Sequence, residues 1–200
     1  MARAKLKSIA VMTGGGDCPG LNAVIRAVTK TAINEHGLTV WGIKDGYLGF
    51  VENRIEPLTY EQTSNILTVG GTILGSSNTS DPFRFPVQTA RRTQIRDLSD
   101  QCLDNLKHRG IEALVCIGGD GTMASAARFA KKGLPVIGVP KTIDNDLAGT
   151  DVTFGFDTAV NTAAEAIDKV HSTASSHHRV MIVEVMGRYA GWRSEERRVG

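Results

Sequence analysis

Two short polar stretches hold residues whose types and spacing could do chemistry. The first is Gly118-Gly119-Asp120-Gly121-Thr122 and the second is Pro140-Lys141-Thr142-Ile143-Asp144-Asn145-Asp146. Three glycines in the first let a phosphate chain lie against bare backbone. Asp120 among them is suited to Mg2+, which takes one or two carboxylates and completes its shell with phosphate oxygens. Thr122 either caps the helix that follows or donates to phosphate. In the second stretch two carboxylates lie two residues apart beside a lysine. An acceptor hydroxyl needs a base within hydrogen-bond reach, for which Asp144 is the candidate, and Lys141 can neutralise charge on a transferring phosphoryl group. Together the stretches point to phosphoryl transfer with a metal. Read singly, each also fits a structural turn, with Asp120 as a cap or Asp144 in an Asx-rich bend.

A third glycine-rich stretch, Gly14 to Gly20, offers backbone N–H groups at a helix N-terminus, where they and the helix dipole favour an anion. It is neither G-x-x-x-x-G-K-[ST] nor G-x-G-x-x-G, so the common nucleotide fingerprints are absent. His177 and His178 read as a solvated loop. Arg179 and Arg188 are better phosphate ligands, because guanidinium grips phosphate bidentately.

The elements that must position these residues follow from the apolar pattern. Ser8 to Met12, Leu38 to Ile43, Ala113 to Ile117, Leu134 to Val139 and Val180 to Met186 are short apolar runs that read as buried strands. Helical spacing runs from Leu21 to Ile33, from Thr93 to Arg109 (with Ile95, Leu98, Cys102, Leu103 and Leu106 on one face), from Met123 to Lys132, and from Thr158 to Val170. Asp45 to Gly49 reads as a turn. Residues 53 to 92 are less regular, with glycines and serines at 70–80 predicting a flexible loop near the site. Strands alternating with helices give an α/β, doubly wound fold, in which ligands bind at the C-terminal ends of the strands. Each polar motif follows a strand, which places them on one edge of the sheet.

Bulk properties fit this. The chain has 200 residues and is 41% hydrophobic and 22% charged, enough for a sizeable core. A net charge of +2 gives no reason to expect a nucleic-acid surface. Cys18, Cys102 and Cys116 are odd in number and lack C-x-x-C spacing, so a reducing cytoplasm is expected rather than a disulfide framework. No run is long enough for a signal-peptide core or a membrane span.

Taken together the motifs resemble the 6-phosphofructokinase family. The stretches that carry the resemblance are TGGGDCPGLNAVIR (13–26), GIKDGYLGF (42–50), GGTILGSS (70–77), IGGDGT (117–122), PKTIDNDLAGTDVTFGFDTAV (140–160) and SSHHRVMIVEVMGRYAGW (175–192). GGDGT alone is shared with NAD and lipid kinases, but its pairing with PKTIDND is specific. The resemblance implies a Rossmann-like, three-layer fold and phosphorylation of fructose 6-phosphate to fructose 1,6-bisphosphate by a cytoplasmic glycolytic enzyme. It assigns Gly15, Tyr47 and Gly119 to Thr122 to the donor, with Tyr47 beside the adenine. Asp120 becomes the Mg2+ ligand. Thr142, Ile143 and Asp144 fall to the substrate, with Asp144 as proton acceptor, along with Met186, Gly187 and Arg188. Arg179 resembles the arginine that reaches the substrate phosphate of a neighbouring subunit, so a dimer or tetramer is implied.

Within that family, glycine after the Mg2+ aspartate goes with ATP, and aspartate there with pyrophosphate. Gly121 therefore implies ATP, whereas Lys141 is the residue of pyrophosphate enzymes. Steric exclusion by a side chain at 121 is the harder effect to evade, so ATP is the expected donor. Asn78-Thr79-Ser80 stands where typical bacterial members carry an arginine-aromatic pair. A non-catalytic nucleotide-sensing module would fit the same fold, but Asp120 and Asp144 are both present. The resemblance divides the chain into a first α/β domain (1–139), the start of a second (140–192) and a non-family tail (193–200). It also implies that the C-terminal two fifths or so of a typical member is absent.

Overall fold

The computed structural model describes residues 6–89 and 92–187. Arg188 and the tail 193–200 therefore lie outside the described residues. The central strand is β1 (Ser8–Thr13), buried at every position. It is followed by α1 (Leu21–His36), β2 (Thr39–Ile43), α2 (Gly46–Val51) and β3 (Ile55–Pro57). A hairpin of β4 (Phe85–Gln88) and β5 (Thr93–Arg96) leads into α3 (Ser99–His108). The chain then runs through β6 (Ala113–Gly118), α4 (Asp120–Lys131), β7 (Val136–Pro140) and α5 (Phe156–His177).

The main sheet has the order β3-β2-β1-β6-β7, and all its pairings are parallel except that of β3 with β2. From β1 the chain winds outward to β2 on one side and later returns to β6 on the other. The strand order thus reverses between β1 and β6, and the crevice above that reversal is where doubly wound sheets bind ligands. Alternation along β1 divides the core. Ala10 and Met12 face a cluster with Phe50, Cys102, Leu106 and Phe129, while Ile9 and Val11 face one with Leu21, Val24, Ile25 and Leu74. Helices α2, α3 and α4 cover the first face and α1 the second, giving three layers. Phe129 is the hub of the first cluster, with the rings of Phe83, Phe50 and Tyr47 centred 4.9, 5.3 and 6.1 Å away. Its truncation to alanine would cost about 3–5 kcal/mol. No helix among the described residues is long and apolar enough to cross a membrane.

Four sequence expectations need correction. Thr93 to Arg109 is not one helix. Thr93–Arg96 pairs antiparallel with β4, and Asp97 then accepts from Ser99 N (2.9 Å) and Ser99 Oγ (2.6 Å), which starts the helix at Ser99. Ile95 shares the helical period of Leu98 and Cys102 but is 60% exposed, so the period was a coincidence of spacing. Asp45 to Gly49 is the start of α2 rather than a turn, because Tyr47, Phe50 and Val51 bury together against α4 and α3. Val180 to Met186 is not a strand. Val180 and Ile182 are more than nine-tenths exposed, and residues 180–186 form no strand among the described residues. An apolar run becomes a strand only where a neighbour takes its N–H and C=O groups. Finally, residues 53 to 92 are more ordered than expected, holding β3 and β4 and a loop at 69–77 that is bonded to the sheet.

Candidate functional site

The turn after β6 is built to bring a helix end close to the strand. A Cβ on Gly118 would run into the Thr122 side chain, so glycine there allows α4 to start after a single intervening residue. Gly119 takes the N-cap position in an extended conformation with no side-chain cap, and its carbonyl accepts from Met123 N at 2.9 Å. Thr122 is therefore not the cap. It lies in the first turn, buried, and its carbonyl accepts from Tyr47 Oη at 2.8 Å. The N–H groups of Asp120, Gly121 and Thr122 have no intrahelical acceptor, and the helix dipole adds to their pull on an anion. Asp120 is exposed, and no side-chain hydrogen bond or ion pair occupies its carboxylate among the described residues. A Cβ on Gly121 would meet nothing within 4 Å.

The glycine loop after β1 behaves differently. Gly14 N donates to Ile117 O (2.9 Å) and Gly15 N to Ser77 O (3.1 Å), so these donors are occupied within the protein. Gly15 (φ +82°) and the N-cap Gly20 (φ +89°) hold left-handed conformations that favour glycine. Cys18 packs under this loop, its Sγ 3.3 Å from Pro19 O and 3.5 Å from Phe154 O. Burial pushes its thiol up to about 11, against a smaller opposing pull from Lys141. Cys18, Cys102 and Cys116 are all buried free thiols, as their spacing implied.

The turn after β7 joins the other two. Lys141 N donates to Gly118 O at 3.0 Å, and the buried Lys141 ammonium donates to Gly16 O at 2.5 Å. The chain then doubles back. Phe154 N donates to Pro140 O, Thr153 Oγ1 to Thr142 O (2.7 Å), and Asn145 Oδ1 accepts from Thr153 N (2.9 Å). This leaves Thr142, Ile143 and Asp144 half-buried on the cleft side, with Asp144 N bonded to Thr142 Oγ1 at 3.1 Å.

These turns line one cleft of about 680 Å³. It gathers Gly15, Tyr47, Gly119, Asp120, Gly121, Thr122, Lys141, Thr142, Ile143, Asp144 and Met186 from the sequence-derived set. It does not include Arg179, which follows the end of α5 exposed, or the exposed Gly187. Tyr47 is 4% exposed, and its ring is mostly core while its edge reaches the cleft wall. Burial raises its phenol pKa strongly. Sequence reasoning missed Asp17, Asp81 and Arg128. Arg128 lies on the cleft side of α4 with Ala124 and Ser125, a helical spacing from Asp120 that could have pointed to it. Its guanidinium sits 3.6 Å from the centre of the Phe83 ring and 3.9 Å from Asp81.

No group of three His, Cys, Asp or Glu close enough to cage a metal occurs among the described residues. One uncommitted carboxylate, Asp120, beside unpaired helix N–H groups fits an ion whose remaining ligands are phosphate oxygens and water.

Comparison with known proteins agrees with this geometry. The family model described as phosphofructokinase matches residues 8–194. An ATP-dependent 6-phosphofructokinase 2 from Clostridium perfringens is 57% identical over 94% of this chain and 51% of its own length. A pyrophosphate–fructose 6-phosphate 1-phosphotransferase from Streptomyces coelicolor is 52% identical over 92% of this chain and 51% of its own. Among solved structures, phosphofructokinase from Saccharomyces cerevisiae superposes with a TM-score of 0.82 at 35% identity, covering 94% of this chain and 27% of that one. The chain thus spans about half the length of the curated relatives it matches.

Proposed function

This chain belongs to the phosphofructokinase family, and from that premise we propose that it forms the donor side and part of the acceptor side of an ATP-dependent 6-phosphofructokinase. The reaction is transfer of the γ-phosphoryl group of ATP to the 1-hydroxyl of fructose 6-phosphate in the cytoplasm. The observation that carries this reading is the Lys141 N to Gly118 O bond, which holds the phosphate-type turn and the carboxylate-type turn side by side in one cleft.

Residue roles follow from position. The first turn of α4 receives the donor phosphates on its N–H groups. Asp120 would hold Mg2+, which would neutralise charge on those phosphates. Asp144 accepts the proton as the 1-oxygen bonds to the γ-phosphorus and the bond to the ADP oxygen breaks. Lys141 offers its ammonium to the transferring group. Thr142, Ile143, Met186, Gly187 and Arg188 contact the sugar phosphate, and Arg179 reaches that of a neighbouring subunit in a homo-oligomer. Residues 1–139 form the first domain and 140–192 the beginning of a second.

The donor rests on Gly121 and α4. With no side chain at 121, the space over the first turn is open to an α-phosphate. The cleft wall runs on from Asp120 to Arg128, about 12 Å at 1.5 Å per residue, which is longer than pyrophosphate needs. Lys141 favours the second reading, a pyrophosphate-dependent enzyme, and relatives of both kinds are of similar identity. A donor assay on the full-length parent decides between them. Turnover with ATP is expected, and turnover with pyrophosphate but not ATP would overturn the reading. In the same protein Asp144→Asn should lower kcat about 10²–10⁴-fold with little change in the KM for fructose 6-phosphate. Unchanged kcat would reduce Asp144 to turn chemistry.

A further inference from the structure

Residues 69–77 lead into the cleft, with Ser77 in its lining, and their own hydrogen bonds are few, Gly75 N donating to Thr72 O and Leu74 N to Thr72 Oγ1. Three further backbone groups of the segment are satisfied by Asn22, in the first turn of α1. Asn22 is 2% exposed and does not line the cleft. Its Nδ2 donates to Val69 O (2.9 Å) and Gly70 O (3.3 Å), and its Oδ1 accepts from Ile73 N (2.8 Å). One buried primary amide thus serves three backbone groups.

From Ile73 the bonds continue toward the site. Leu74 O accepts from Asp45 N (2.8 Å), and Gly75 O from Thr13 Oγ1 (2.7 Å). Ser76 Oγ then donates to Gly15 O (2.5 Å), and Ser77 O accepts from Gly15 N (3.1 Å). The next carbonyl, that of Gly16, accepts the Lys141 ammonium. We propose that Asn22 is a positioning residue for the donor end of the cleft: by fixing residues 69–73 it fixes Gly15 and Gly16, and through them the Lys141 ammonium. The inference rests on the phosphotransferase reading for its kinetic consequence, though not for its structural one.

The physical reason is the penalty for a buried, unpaired polar group. Without the Asn22 amide, two carbonyls and an N–H lose their partners, and the segment must move to recover them from water. Because its two ends are bonded to α1 and to Gly15, that movement pulls on the glycine loop. The segment is therefore a brace behind the glycine loop rather than a flexible cover.

The test uses the full-length parent with Asn22→Ala and with Asn22→Asp, which keeps the shape and the acceptor but turns a carboxylate toward Val69 O and Gly70 O. Both should raise the KM for ATP at least about tenfold, leave the KM for fructose 6-phosphate within about twofold, and lower hydrogen-exchange protection of the Gly15 amide at least about tenfold while β6 and α3 stay protected. A fall in Tm with donor KM and Gly15 protection unchanged would mean a merely structural role and would overturn the proposal. Should neither variant fold, the unaltered protein decides: Gly15 and Ile73 amides must exchange through one common opening, and separate openings would refute the coupling. If the parent turns over neither ATP nor pyrophosphate, the functional reading fails, while the exchange measurement still settles the role of Asn22.

Discussion

The glycine loops after β1 and β6 look alike on paper and do opposite things. Each follows a buried stretch of parallel strand, is rich in glycine with one aspartate, and leads into a helix. After β1, the first two glycine N–H groups are bonded to Ile117 O and Ser77 O, and seven residues separate the strand from the helix. After β6, one residue separates strand from helix, and the first-turn donors lack helix partners. Glycine in the first case admits left-handed turns, and in the second a close approach. The first spends two of its N–H groups inside the protein, whereas the second brings a helix N-terminus directly to the strand end.

Three experiments on the full-length parent would break or sharpen that contrast. The largest effect is expected from the paired acids. Asp120→Asn should lower kcat about 10²–10³-fold, the scale on which removing a charge-stabilising group acts. Asp17→Asn, in the first loop, should change it less than about tenfold, as befits a charge that contributes only to the general field. Equal losses would erase the distinction. Next come the glycines themselves. Gly118→Ala forces a methyl group against Thr122 and should lower stability by about 1–3 kcal/mol in denaturant unfolding. Gly16→Ala meets nothing within 4 Å and has no positive φ, so it should stay within about 0.5 kcal/mol. The smallest effect concerns Cys18 beneath the first loop, whose thiol is pushed from 9.0 up to about 11 by burial. A raised folded-state value means the neutral form is the stabilised one. Its contribution is complete below pH 9 and is lost as pH rises through about 11, with Cys102 and Cys116, pushed up to about 12, extending the window. Native protein at pH 8 should leave Cys18 unreactive toward an aromatic disulfide reagent, whereas rapid labelling would mean the first loop opens readily.

Much of the architecture was legible because β1, β2, β6 and β7 are apolar runs bounded by turn residues, a pattern that suits the buried β1 and β6 and also holds for the more exposed edge strand β7. The order of motifs along one sheet edge followed from it. What was not legible depended on partners. Thr93–Arg96 shares the helical spacing of the segment after it but finds β4 alongside and becomes a strand, while the apolar run Val180–Met186 forms no strand among the described residues. At the site, Asp120, Asp144 and Lys141 could be named from residue type and spacing. That Lys141 would bond to Gly16 O, or that Asn22 would serve residues 69–73, could not, since those contacts join positions 125 and roughly 50 residues apart in the chain.

The bond between Lys141 and Gly16 also bears on redesign. An engineer altering donor preference would treat position 141 as a charge to be kept or deleted. The same side chain, however, is a strut between the β1 and β7 loops, and exchanging it for glycine would remove the strut together with the charge. Donor preference and loop placement are therefore inherited as one trait at this position. A swap that changes the first without a compensating contact for the Gly16 carbonyl starts from a differently shaped cleft.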